Sequence, residues 1–257
     1  MTFTGAIGRV CNAPLRGIIA VCVALHISPN VLTFTGVVVN ITGAWLLGTE
    51  RFWTAGFVML AANIFDYIDG KVARERQRET LFGGFWDSVM DRFSDITLFI
   101  GLIYLYTKHA STDYVIITAL AMMFSVMTSY TRARAESIIQ KCKVGFMERP
   151  ERIVLFMIGA FTNRMAGVLW VILVLSIVTV ADRIYFTWRE LKGIKESRKP
   201  LVLNVFWRAF FWTDERASWQ YDLWVVAILA FVWLVPPDWI GDPIAGGRGM
   251  IGWILGR

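Results

Sequence analysis

Four aspartates, Asp66, Asp69, Asp87 and Asp91, stand in the stretch DYIDGKVARERQRETLFGGFWDSVMD at residues 66–91, two closing one apolar run and two opening another. Carboxylates at the ends of apolar helices are costly unless something positive neutralises them. Asp66 and Asp69 are three residues apart and Asp87 and Asp91 four apart. On helices each pair therefore shares a face, about 60° and about 40° apart at 100° per residue. If the two helices are neighbours joined by a loop over 70–86, the four carboxylates can converge. An oxygen-only donor set suits a hard divalent cation, Mg2+ or Mn2+, better than zinc.

Between the pairs lie Gly70, Ala73, Arg74 and Gly83. The small residues let a ligand approach the backbone, and Arg74 can grip a phosphate with two hydrogen bonds. Cation, guanidinium and open backbone together describe a diphosphate site. There the cation would stabilise a leaving phosphate while one carboxylate takes the proton of an attacking hydroxyl. Any one aspartate alone could instead cap a helix or pair with Arg74, Arg76, Arg78 or Arg92. Four on two matched faces point to a site. Asp95, one turn beyond Asp91, either extends the acidic face or bonds within the bundle.

The elements that must hold these residues are membrane helices. The chain is 56% hydrophobic and 18% charged, with a mean hydropathy of +0.53, beyond what soluble domains usually carry. Apolar runs cover Val31 to Leu47, Phe52 to Ile68, Phe93 to Tyr106, Tyr114 to Tyr130, Ile153 to Phe161 with its flanks, and Ala166 to Phe186. They predict an all-α, polytopic membrane protein with a six-transmembrane-helix core over 31–190. A juxtamembrane helical segment precedes it over 1–30, and a membrane-associated tail follows over 191–257. The third and fifth runs are short and need polar neighbours to complete a span. Asn30 is the expected N-cap of the first. No cleaved signal is expected, because Pro14 and Arg16 interrupt the early apolar material.

Basic residues fall mostly on one side of the spans: Arg9 and Arg16, Lys71 to Arg78, Arg132 to Arg152, and Arg189 to Lys199. The opposite side has only Arg51, Lys108 and Arg164. The aspartate side is thus expected to face the cytoplasm. The pI near 9.4 reads as headgroup attraction rather than nucleic-acid binding, since the cations flank the spans. Cys11, Cys22 and Cys142 have no metal-ligand or disulfide spacing and are taken as structural. In the tail, LVLNVFWRAFFW at 201–212 suits an interfacial helix, and Leu223 to Val235 is short for a span. Arg132, Arg149, Arg152 and Arg183 lie at the cytoplasmic ends of the last three core helices. They could converge on a phosphate-bearing acceptor, or they could only obey the charge rule and bind headgroups. Glu148 and Glu151 are expected to orient Arg149 and Arg152.

The spacing D-x2-DG-x2-AR-x8-G-x3-D-x3-D, carried by Asp66, Asp69, Gly70, Ala73, Arg74, Gly83, Asp87 and Asp91, resembles the signature of the CDP-alcohol phosphotransferases without a departure. The resemblance implies a six-helix membrane enzyme, a homodimer, in which the aspartates hold two divalent metals and Asp91 acts as general base. Asp66, Asp69, Gly70, Ala73, Arg74, Thr80 and Gly83 would hold the cytidine nucleotide. Outside the signature, SYTRARAE (129–136), GFMERPERIVL (145–155) and SIVTVADRIYFTW (176–188) are similar to the bacterial phosphatidylinositol phosphate synthases. Those enzymes tend to have Lys where this chain has Arg132. That likeness implies a phosphatidyl transfer from CDP-diacylglycerol to inositol phosphate with release of CMP. The acceptor phosphate would lie on Ser129, Arg132, Arg149, Arg152 and Arg183. Rival readings are a sister enzyme using glycerol phosphate, serine or inositol, a CDP-archaeol donor, and a cation channel or transporter. The last would string its acids along several helices at mid-membrane depth, whereas here they cluster.

Overall fold

The computed structural model describes residues 16–77, 80–193 and 219–244. The expected interfacial helix at 201–212 lies outside them, as do Arg9, Cys11, Arg78, Lys195, Arg198 and Lys199. Every extended regular element among the described residues is helical. Helix α1 covers 16–24, followed by α2 (Pro29–Gly48), α3 (Phe52–Glu75), α4 (Leu81–Lys108), α5 (Thr112–Glu136), α6 (Arg149–Thr162), α7 (Met165–Leu191) and α8 (Trp219–Leu234), then a single 3-10 turn at Pro237–Ile240. Among them α2, α5 and α7 are long and apolar enough to cross a membrane. Helices α3 and α4 have the length, at 24 and 28 residues, but carry the aspartates and several basic residues. The 14 residues of α6 rise only about 21 Å, short of the roughly 30 Å of a hydrocarbon core. Large apolar side chains such as Trp45, Trp53, Phe57 and Val226 stay exposed on the outer faces, as lipid-facing positions do.

The chain divides into two compact units. In the first, Met1–Ala110 with Ala160–Asn163, α3 and α4 both pack along α2. Small residues make this possible. A Cβ added at Gly101 of α4 would lie 2.2 Å from the Ala44 carbonyl oxygen of α2, so the two backbones nearly touch. Further along, Asn40 donates from Nδ2 to Ser94 Oγ at 2.5 Å, with both residues buried. At the other end of α2, Ile19 and Cys22 of α1 pack with Leu32, Ile68 and Val72.

Helix α2 starts one residue before the expected cap. Ser28 is the N-cap, in extended conformation, and Pro29 takes the first helical position, where a missing N–H is harmless. Asn30 therefore sits inside the first turn. The connection between α3 and α4 is also much shorter than the expected 70–86: α3 runs to Glu75 and α4 opens at Leu81. Gly70, Ala73 and Arg74 are helical: Gly70 is the one glycine and there is no proline between 66 and 82 to stop α3 earlier.

Five helix ends close through left-handed residues that are not glycine, His26, Glu50, Gln77, Ala110 and Asn163, while Gly193 follows α7. Ala110 adopts φ 52° after α4, and its N–H donates to Thr107 O at 3.0 Å. That backbone costs an L side chain on the order of 1 kcal/mol. Ala110→Gly is expected to raise the thermal midpoint in detergent by about 2 °C. A fall instead would show that the methyl group is held by packing.

The second unit is Ser111–Gly159 with Arg164–Arg257, and α5 packs on α7. The α5–α6 loop folds back on them: Cys142 and Met147 are fully buried, and Met147 N–H donates to Thr179 Oγ1 at 3.0 Å. Gly145 permits this turn, with φ 92° and Thr179 Cγ2 2.4 Å from any added Cβ. Helix α8 lies against α7: Val232 is buried, and its Cα is 3.8 Å from a Cβ added at Gly167. Tyr114 of α5 donates its hydroxyl to the Ile240 carbonyl.

Candidate active site

One cavity of about 670 Å³ opens in the first unit, walled by the first turn of α2, the last turns of α3 and the first turns of α4. The α3 wall carries Asp69, Gly70, Ala73 and Arg74; the α4 wall carries Gly83 and Asp87, with Thr80 just before it. These are seven of the residues singled out from the sequence. Arg74 Nε donates to Gly70 O at 2.9 Å. This bond steers the exposed guanidinium along the helix toward the space above Gly70. Thr80 caps α4 by accepting Gly83 N–H at 2.9 Å. The α2 and α4 N-termini thus both edge the cavity, a favourable setting for anionic groups.

Asp69 is buried at 5% exposure. Thr33 of α2 donates to its Oδ2, and Asp66 and Asp87 both bear on it electrostatically. Asp66 lies one turn earlier against α2, its Oδ1 2.7 Å from a Cβ added at Gly36, so only glycine leaves it room. Asp91 lies one turn beyond Asp87, its Oδ2 3.8 Å from Arg92 NH1. The structure brings Asp69 and Asp87 to the cavity wall, while Asp66 and Asp91 flank them. Among the described residues no three His, Cys, Asp or Glu side chains are grouped to hold a metal ion, so the carboxylates form no ready-made cage. Their chemistry fits a divalent cation all the same. The donors are all oxygen, and the like charges crowd one another around Asp69 with a cavity in front of them.

Sequence reasoning missed the third wall. Ser28, Pro29, Asn30 and Thr33 line the same cavity, and Asn30 Oδ1 comes 3.9 Å from a Cβ added at Gly83. Thr33, at 3% exposure, is one of several polar residues in its run, so no local signal set it apart.

The second unit gathers the arginines. Arg152 and Arg183 are each 2% exposed, which charged side chains tolerate only when held by polar partners. Arg183 donates from Nε to Val144 O at 2.9 Å, from NH1 to Thr128 O and from NH2 to Glu148 Oε1 at 3.1 Å. Arg132 NH1 reaches the same Glu148 oxygen at 2.7 Å. Arg152 NH1 donates to Thr128 Oγ1 at 3.1 Å. Thr128, which the sequence did not single out, thus joins two of the arginines, and Ser129 lies half-buried beside it. Arg149 opens α6, half-buried. Glu148 engages Arg132 and Arg183. Cys142 is buried in this loop, and burial pushes its thiol up, which suits a structural residue.

The sequence profile described as CDP-alcohol phosphatidyltransferase matches residues 26–182. The chain belongs to this family. Within CDP-alcohol phosphatidyltransferases it is 30% identical over 206 residues to the phosphatidylinositol phosphate synthase of Mycobacterium tuberculosis, covering 76% of this chain and 93% of that one. It is 34% identical over 167 residues to the archaetidylinositol phosphate synthase of Methanothermobacter thermautotrophicus, covering 63% and 83%. The crystal structure of the M. tuberculosis enzyme with CDP-DAG bound superposes with a TM-score of 0.65 at 28% identity, covering 72% of this chain and 98% of that one. The same enzyme in complex with manganese and citrate gives 0.64, covering 74% and 98%. The chain is therefore an enzyme of CDP-alcohol phosphatidyl transfer, which sets aside the channel reading.

Proposed function

We propose that the protein transfers the phosphatidyl group of CDP-diacylglycerol to a hydroxyl of inositol phosphate and releases CMP. The observation that carries this reading is the unbroken aspartate signature, most of which lines one cavity. The acceptor assignment draws on the buried Arg152 and Arg183 and on the likeness to phosphatidylinositol phosphate synthases. Asp66, Asp69, Asp87 and Asp91 would hold two divalent ions, Mg2+ or Mn2+. Such ions, when bound, neutralise a diphosphate and stabilise the departing phosphate. Gly70, Ala73, Arg74, Thr80 and Gly83 orient the nucleotide, Arg74 by its guanidinium and the glycines by leaving backbone within reach. Asp91 takes the proton of the acceptor hydroxyl as its oxygen bonds the lipid-bearing phosphorus and the bond to the CMP phosphate breaks. Ser129, Arg132, Arg149, Arg152 and Arg183 receive the acceptor phosphate.

In this reading α2 to α7 form a six-span core over 31–190, working as a homodimer in the cytoplasmic membrane with the cavity toward the cytoplasm. Residues 1–30 are read as a juxtamembrane segment and 191–257 as a membrane-associated tail, of which 1–15, 194–218 and 245–257 lie outside the described residues. A CDP-archaeol donor is a second reading, favoured by the archaetidylinositol phosphate synthase relative.

The test is CMP release by purified protein with each donor and with inositol phosphate, inositol, glycerol phosphate or serine. Inositol phosphate is expected to be preferred at least tenfold, with activity lost on chelation and restored by Mg2+ or Mn2+. Preference for another acceptor sinks the acceptor assignment, and activity that survives chelation sinks the metal one.

A further inference from the structure

Of the four signature aspartates Asp69 alone is buried, while Asp66, Asp87 and Asp91 are half-buried. Among the described residues two donors reach its carboxylate: the Gly70 amide of its own helix and the Thr33 hydroxyl, which comes across from α2. The amide turns with α3 and cannot fix the carboxylate against the facing wall of the cavity. Thr33 can, because it stands one turn into α2 and is itself buried at 3% exposure, where water does not readily take its place. Its hydroxyl also lies 3.1 Å from the Pro29 carbonyl oxygen. It has one proton for two acceptors, and the charged carboxylate is the stronger of them.

We infer that Thr33, which stands outside the aspartate signature, is a positioning residue of the divalent-metal site and holds the Asp69 carboxylate ready for an ion. The inference rests on the metal reading above. Asp66 and Asp87 both bear on Asp69 electrostatically, and like charges push a carboxylate away from its neighbours. The Thr33 hydrogen bond opposes that push, and by engaging Oδ2 it fixes the plane in which the other oxygen lies. A carboxylate held in this way meets an ion without first being turned. One that is free to rotate must be reordered by the ion, and the cost falls on metal affinity.

Thr33→Val keeps the shape of the side chain and removes the donor, whereas Thr33→Ser keeps the donor and loses a methyl group. Mn2+ alone is titrated onto the detergent-purified full chain, with free Mn2+ counted by electron paramagnetic resonance. The half-saturating Mn2+ concentration is expected to rise about tenfold in Thr33→Val, the lower end of the range for losing an outer partner of a metal ligand. Thr33→Ser is expected to stay within about threefold of wild type, since the donor remains. Equal Mn2+ binding by wild type and Thr33→Val overturns the inference, and so does Thr33→Ser binding no better than Thr33→Val. A thermal midpoint in EDTA that falls in Thr33→Val while Mn2+ binding is unchanged marks Thr33 as merely structural and also overturns it. Should Thr33→Val not fold, Thr33→Cys takes its place, because a thiol is a weak donor, and Mn2+ binding equal to wild type overturns the inference there too. Wild-type protein that binds no Mn2+ removes the metal reading and this inference together, whereas the other adverse results remove this inference alone.

Discussion

Asp91→Asn is expected to lower turnover by about 10²- to 10⁴-fold, the range for loss of a positioned general base. The substitution keeps the shape of the side chain and removes its capacity to take a proton. Asp91 stands one turn beyond the cavity-lining Asp87, with Arg92 3.8 Å from its carboxylate, so the variant also lifts one negative charge from that group. If Asp91 serves only as a ligand, CDP-lipid affinity falls with rate; if it is the base, kcat falls and affinity holds. Steady-state CMP release, paired with direct binding of the CDP-lipid, separates the two. Turnover within about threefold of wild type would remove the base assignment, being well below the expected range.

Gly101→Ala should be the most damaging single methyl in the first unit. The added carbon would lie 2.2, 2.8 and 3.0 Å from the oxygen, carbonyl carbon and Cα of Ala44. These are backbone atoms, and alanine has no rotamer with which to escape them. Helices α2 and α4 must move apart, and overpacking of this kind costs about 3 kcal/mol or more. For a chain of this size that is roughly 6–12 °C in thermal midpoint. Gly17→Ala is the natural control, since among the described residues no atom beyond its own helix lies within 4 Å of its added Cβ and alanine favours a helix over glycine. A midpoint for Gly101→Ala within about 2 °C of wild type would mean that the helices have slack at this crossing.

The aspartate face was legible because helix spacing is local: residues three and four apart share a side wherever the helix ends up. Arg183 was legible from its place at the cytoplasmic end of the last core helix, which is also read from nearby sequence. What stayed hidden depended on partners distant in sequence. Nothing near Ser28, Asn30 or Thr33 announces that α2 closes the cavity, because Asp69 is 36 residues from Thr33. The role of Thr128 depends on α7, 55 residues on. The extent of the α3–α4 connection was misread because small residues resemble loop, whereas a helix beside a bound ligand also needs them. Asn30 has the right chemistry for a cap, but Pro29 starts the helix a residue earlier and moves Asn30 inward.

The crossing at Ala44 and Gly101 also acts as a fulcrum. From Ala44 to Asn30 the rod of α2 is about 21 Å long at 1.5 Å per residue, so a 5° tilt about that crossing would carry its tip nearly ~2 Å sideways. Such a swing exceeds the tolerance of any hydrogen bond and would separate Thr33 from Asp69. Small repacking changes remote from the cavity would therefore be read out at the carboxylates with mechanical gain.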